Sequence, residues 1–126
     1  MSENAGTNPS ALVIEDDPRL ADIFSMALKE AKYDTEIIGD GNLALERLAS
    51  VVPSVVVLDL HLPGVAGEDI LRHIRSDDRL ATTRVMLATA DPLRAEMLRS
   101  KANIVLIKPI SFTQIRDLAS RLRPKN

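Results

Sequence analysis

The 126-residue sequence contains no cysteine and no tryptophan, and its only aromatic residues are Phe24, Tyr33 and Phe112. Without cysteine the chain can form no disulfide framework, no thiolate metal site and no cysteine nucleophile. A chain without disulfides fits a reducing compartment, so we expect a cytoplasmic protein. Three aromatic rings are too few for the stacking platform on which single-stranded nucleic acids bind.

The sequence also has little net charge and no long apolar segment. Its formal net charge is −2 at pH 7, and its lysines and arginines form no cluster along the chain. Because nucleic-acid binding requires a basic patch, we expect no direct contact with nucleic acid. No apolar run reaches the roughly 20 residues that span a bilayer, so we also expect no membrane insertion.

The sequence does contain a regular alternation of short apolar segments with amphipathic ones. Hydrophobic residues make up 45% of the chain, which is enough to bury a core, and the length suits one domain. Predicted strands cover 11–14, 33–38, 55–58, 85–88 and 104–107, and predicted helices cover 18–31, 42–50, 68–75, 93–100 and 112–123. This alternation predicts an α/β fold with a single five-stranded parallel sheet flanked by five helices. Among the few possible topologies we expect the flavodoxin-like strand order 2-1-3-4-5.

Polar residues stand at the carboxyl ends of four predicted strands. Glu15 and Asp16 follow the first strand, Asp59 the third, Thr89 the fourth and Lys108 the fifth. Ligands of open parallel sheets bind at this edge, so we expect these side chains to converge. Three carboxylates in one pocket repel one another unless a cation is present, and their oxygens suit Mg²⁺. A lysine and a hydroxyl beside a metal-bound acid suit an incoming phosphoryl group, with Asp59 as the nucleophile.

Four pieces of the sequence, in this order, resemble the receiver domain of two-component response regulators. They are Glu15-Asp16-Asp17-Pro18, the nine residues 59–67 (Asp-Leu-His-Leu-Pro-Gly-Val-Ala-Gly), Ala88-Thr89-Ala90 and Lys108-Pro109. The resemblance implies a stand-alone, CheY-like receiver domain over 11–123. We expect a disordered tail over 1–10 and a short tail over 124–126.

The resemblance also implies a phosphoacceptor and a metal site. Asp59 would accept a phosphoryl group from the phosphohistidine of a sensor histidine kinase or from a phosphotransfer protein. Asp16, Asp59 and the backbone carbonyl of His61 would bind Mg²⁺, and Glu15 would assist through a water molecule.

The resemblance implies roles for two further residues. Lys108 would pair with the phosphate, and its peptide bond to Pro109 would be cis. Thr89 would move toward the phosphate and report its presence. The domain would catalyse its own phosphorylation and dephosphorylation and would not be an enzyme acting on a separate substrate. Because the chain ends at Asn126, we expect output by contact with a downstream protein, which the sequence does not identify, or by onward phosphoryl transfer.

The sequence departs from the family pattern at three places. Val105 stands where such domains commonly have Tyr or Phe, and Lys101-Ala102-Asn103 replaces the usual Gly-Ala-Asp. The segment between Thr89 and Lys108 is short for the family by about one helical turn. These changes fall on the predicted fourth helix and fifth strand, the face that such domains normally use for output.

Two other functions agree with part of this pattern. A degenerate receiver would bind partners without being phosphorylated, which Val105 and the short fourth helix favour and the intact acids and lysine oppose. A small aspartyl-phosphate hydrolase of the haloacid-dehalogenase type also uses Asp, Thr and Lys at strand ends. That family requires a second acid two residues after its nucleophile, where this chain has His61, and the chain has no room for a cap domain.

Overall fold

A computed structural model of the chain describes residues 8–124, which form five strands, five α-helices and two short 3₁₀ turns. The strands β1 to β5 are Ser10–Ile14, Asp34–Ile38, Val55–Asp59, Arg84–Thr89 and Ile104–Ile107. The helices α1 to α5 are Pro18–Glu30, Gly41–Leu48, Gly67–Ser76, Pro92–Leu98 and Phe112–Leu122. The 3₁₀ turns are Asp78–Leu80 and Arg99–Lys101.

The five strands form one parallel sheet in the order β2-β1-β3-β4-β5, which confirms the predicted topology. Strand β3 lies at the centre, and all five of its residues are buried. The apolar run 55–58 has this position because only a strand covered on both faces buries consecutive side chains. The register pairs Asp59 of β3 with Ala88 of β4, so both strands end at the same edge.

Helices cover both faces of the sheet and give the domain two apolar layers. One layer packs α1 and α5 against the sheet around Phe24, Leu28 and Ile115. The other packs α2 and α3 against the opposite face around Leu48 and Ile70. The alternation of side chains along each strand supplies both layers, because successive residues point to opposite faces.

Three of the helices begin with side-chain caps of the residue types that favour helix N-termini. The side chain of Asp17 accepts from Arg19 N at the start of α1, and Asp91 caps α4, and in both cases a proline follows the cap. Ser111 and Gln114 form a capping box at the start of α5.

The structure differs from the predicted boundaries at the ends of some elements. The tail predicted over 1–10 overlaps β1, because Ser10 pairs with Asp34 of β2 and its carbonyl accepts from Ser54 N. The rest of that tail up to residue 7, and residues 125–126 of the other tail, lie outside the described residues. Helix α4 ends at Leu98, two residues earlier than predicted, and the chain tightens into the turn Arg99–Lys101. Within residues 8–124 no helix is long and apolar enough to span a membrane.

Candidate functional site

The polar residues predicted to converge do so at the carboxyl edge of the sheet. Asp59 is the last residue of β3, and Glu15 and Asp16 follow β1, which is its neighbour. Lys108 follows β5, where its backbone N–H donates to the Thr89 carbonyl at 2.8 Å and so continues the ladder between β4 and β5. Asp59 and Glu15 are buried, each 2% exposed, whereas Asp16 is exposed to solvent.

The ammonium group of Lys108 lies between two buried carboxylates. Its Nζ is 3.2 Å from Oδ2 of Asp59 and 3.7 Å from Oε1 of Glu15. The second oxygen of Asp59, Oδ1, accepts from the backbone N–H of His61 at 3.1 Å. Both oxygens of Asp59 therefore have a donor, and the carboxylate has a fixed orientation at the mouth of the site.

Glu15 has fewer hydrogen-bond donors than Asp59. Its Oε2 accepts from the backbone N–H of Asp17 at 3.2 Å, but its buried Oε1 has no hydrogen-bond partner within the described part of the chain. Burial, with the neighbouring Asp59 carboxylate as a second cause, raises the pKa of Glu15 to about 7. Glu15 therefore has a buried oxygen for which residues 8–124 supply no hydrogen-bond donor.

A divalent cation fits this donor set. Glu15, Asp16 and Asp59 each offer a carboxylate oxygen, and these oxygens lie within 4.8 Å of one another. Mg²⁺ prefers oxygen ligands and is usually bound by one or two carboxylates with water completing the shell. The unpartnered Oε1 of Glu15 and the exposed carboxylate of Asp16 suit such a site, because one oxygen lacks a donor and the other is open to solvent.

Thr89 and His61 lie at the same edge, and within residues 8–124 their side chains form no hydrogen bond with the carboxylates. Thr89 is 5% exposed, and its Oγ1 accepts from the backbone N–H of Asp91 at 3.0 Å. The His61 side chain is exposed, and only its backbone N–H binds Asp59. The Lys108–Pro109 peptide bond is cis, as the resemblance implies.

Gly67 shapes the site in a way that the sequence pattern did not predict. It begins α3, and its N–H donates to the Leu60 carbonyl at 3.2 Å. A Cβ at this position would lie 2.5 Å from Leu60 Cα and 2.7 Å from the Asp59 carbonyl oxygen. Gly67 is therefore required for the close approach of α3 to the end of β3. The second glycine of the segment 59–67 was the feature of the sequence that could have indicated this close approach.

Comparison with known proteins agrees with this geometry. The model of the response regulator receiver domain family matches residues 11–120. The DNA-binding response regulator MtrA of Mycolicibacterium smegmatis is 34% identical over 115 residues, which are 90% of this chain and 49% of MtrA. This chain therefore spans about half the length of that relative.

Two solved structures that share this fold are also receiver domains. The receiver domain of the Francisella response regulator 1452 is 27% identical, with a TM-score of 0.80, and the match covers 91% of this chain and 96% of that one. The receiver domain of the sensor histidine kinase PA1611 from Pseudomonas aeruginosa, solved with a magnesium ion in its active-site cleft, is 21% identical. Its TM-score is 0.80, with 91% of this chain and 97% of that one covered. The chain belongs to the response regulator receiver domain family.

Proposed function

We propose that this domain accepts a phosphoryl group on Asp59, with Mg²⁺ bound beside it. The observation that supports this proposal is the buried Asp59 carboxylate at the end of the central strand, held 3.2 Å from Lys108 Nζ. A carboxylate oriented by two donors and next to a cation is suited to attack an electrophilic phosphorus.

The Mg²⁺ would be held by Asp16, Asp59 and the backbone carbonyl of His61. Glu15 would assist through a water molecule. When bound, Mg²⁺ would neutralise the negative charge of the incoming phosphoryl oxygens and of the acids around them. The buried Oε1 of Glu15, which has no hydrogen-bond partner among residues 8–124, supports this assignment. A cation at this place would oppose the effect of burial, which raises the pKa of Glu15 to about 7.

In the proposed reaction an oxygen of Asp59 attacks the phosphorus of a phosphohistidine on a sensor histidine kinase or a phosphotransfer protein. The P–O bond forms and the P–N bond breaks. The imidazole, whose other ring nitrogen carries a proton, leaves as the neutral ring. Lys108 is close enough to pair with the transferred group. Thr89 Oγ1 accepts one hydrogen bond from Asp91, which leaves its O–H available to donate to a phosphoryl oxygen.

The biological setting of this chemistry is also a proposal. Residues 11–123 would form the receiver domain, which would catalyse its own phosphorylation and dephosphorylation in the cytoplasm. Its output would be contact with a downstream protein or onward phosphoryl transfer. The direct partners would be proteins, without insertion into a membrane or binding to nucleic acid.

Phosphorylation by a small-molecule donor tests this function without a known kinase. The protein is incubated with Mg²⁺ and acetyl phosphate, and its intact mass is measured beside Asp59→Asn and the exposed control Asp22→Asn. We expect one phosphoryl group on the parent and on Asp22→Asn, and none on Asp59→Asn. A parent that gains no mass with any donor would indicate a degenerate receiver, and steady turnover of added phosphate monoesters would indicate a hydrolase.

A further inference from the structure

One cavity in the described residues lies at the opposite edge of the sheet from Asp59. It has a volume of about 590 Å³ and lies at the amino ends of β4 and β5. Because β4 runs from Arg84 in this cavity to Thr89 at the other edge, the two regions are separated by about 17 Å of strand. The volume is within the range of small-molecule sites, about 300–1,000 Å³.

Three cations line this cavity, and they come from three different elements. Arg75 is near the end of α3, Arg84 begins β4, and Lys101 ends the second 3₁₀ turn. The other lining residues are uncharged and include the hydroxyl residues Thr82 and Ser100. Within residues 8–124, none of the three cations has a carboxylate oxygen within 4.0 Å. The cavity is therefore positively charged without an internal counterion.

Arg75 is held rigidly in this cavity by neutral acceptors. Its Nε donates to the Lys101 carbonyl at 2.9 Å, its Nη1 to the Thr83 carbonyl at 3.0 Å, and its Nη2 to Asn103 Oδ1 at 2.9 Å. Burial lowers the pKa of the guanidinium below its ordinary value. Three of its five N–H bonds are used in this way, and they fix a planar cation whose charge no acceptor neutralises.

Lys101 and Asn103 both contribute to the positive charge of this cavity. Lys101 supplies an ammonium group, and Asn103 supplies a neutral amide and no carboxylate. The Asn103 Oδ1 accepts from Arg75 Nη2 at 2.9 Å and from Val85 N at 2.8 Å. Asn103 therefore holds the guanidinium in place without neutralising its charge.

We propose that this cavity binds a small anion that has several phosphate groups, such as an inorganic polyphosphate or the phosphate chain of a nucleotide. A fixed guanidinium, a second arginine and a lysine supply the charge and the N–H donors that phosphate oxygens bind. Thr82 and Ser100 are exposed hydroxyl residues that add donors at the rim. The site is independent of the phosphoacceptor at Asp59 and lies at the other edge of the sheet.

The test is a titration of the ¹⁵N-labelled full chain with tripolyphosphate at constant ionic strength and without Mg²⁺. We expect saturable amide shifts at Thr83, Lys101 and Asn103. The variant Asn103→Asp retains both acceptor bonds and adds one negative charge, so it should weaken binding about tenfold or more while keeping the melting temperature. Lys101→Gln should weaken binding similarly, and the exposed control Lys29→Gln should bind like the parent.

Parallel titrations distinguish the source of the phosphates. Tighter binding of ATP than of tripolyphosphate would identify a nucleotide, and equal binding would identify the phosphate chain alone. The proposal is overturned if tripolyphosphate does not saturate, if Asn103→Asp binds like the parent, or if the shifts centre on Asp59. It is also overturned if a polyglutamate peptide saturates the site while tripolyphosphate does not, because the surface would then be a contact for an acidic protein.

Discussion

The substitution Glu15→Gln should stabilise the protein in the absence of divalent cations, and only at neutral to alkaline pH. Glutamine has nearly the shape of protonated glutamate, and its Oε1 can still accept from Asp17 N. The change therefore removes the ionised state, in which a buried oxygen has no hydrogen-bond partner among residues 8–124 and lies near the Asp59 carboxylate.

The size of the stabilisation expected for Glu15→Gln follows from the pKa of Glu15, which rises from 4.5 to about 7 on folding. Between these values the folded protein binds more protons than the unfolded chain, so the stability of the parent falls as the pH rises through this window. The loss is nearly complete at about pH 8 and amounts to about 3 kcal/mol. For a domain of this size that corresponds to roughly 10 °C in melting temperature.

Thermal unfolding of the parent and Glu15→Gln in EDTA measures this effect. The difference in melting temperature should be small at about pH 5 and roughly 10 °C at about pH 8, with the variant more stable. The exposed control Glu30→Gln should follow the parent at both pH values. A Glu15→Gln variant that is no more stable than Glu30→Gln at the higher pH would refute the reasoning. An equal gain at both pH values would show that its cause is not the ionisation of Glu15.

Four further outcomes are expected. Mg²⁺ should raise the melting temperature of the parent above that in EDTA, and less so in Glu15→Gln, because it binds only the folded acidic site. Gly67→Ala should lower the free energy of unfolding in urea by about 1–3 kcal/mol and should reduce labelling by acetyl phosphate. Gly39→Ala should change both little, because its Cβ would lie 3.6 Å from the nearest atom, the Glu15 carbonyl oxygen. Tyr33→Phe should lower the free energy of unfolding by about 1 kcal/mol, because it removes the buried hydroxyl bond to α5. Lys108→Met should slow labelling by acetyl phosphate about 100-fold, measured by intact mass against time; an unchanged rate would remove Lys108 from the proposed mechanism.

Much of the fold was predictable because its signals are local. The run 55–58 predicted a central strand, and alternating strands and helices predicted a parallel sheet whose strand ends share one edge. That rule also predicted that Asp59 and Lys108 lie close together, although β4 separates their strands. The limits of the elements were less predictable, because Ser10 joins β1 through pairing with Asp34 on another strand.

The sequence by itself determined the alternation of strands and helices and the residue types at the carboxyl edge, because hydrophobic periodicity and caps act over a few neighbouring residues. The strand order was one expectation among a few possible topologies, and the tertiary structure decided it. Only the tertiary structure decided how strongly Glu15 is buried, which oxygen lacks a partner and how close Gly67 lies to β3. It also assembled Arg75, Arg84 and Lys101 into one cavity, although the chain has no basic cluster along its length. Burial and the distance between charges depend on packing between segments that are far apart in the chain, and no local pattern encodes them.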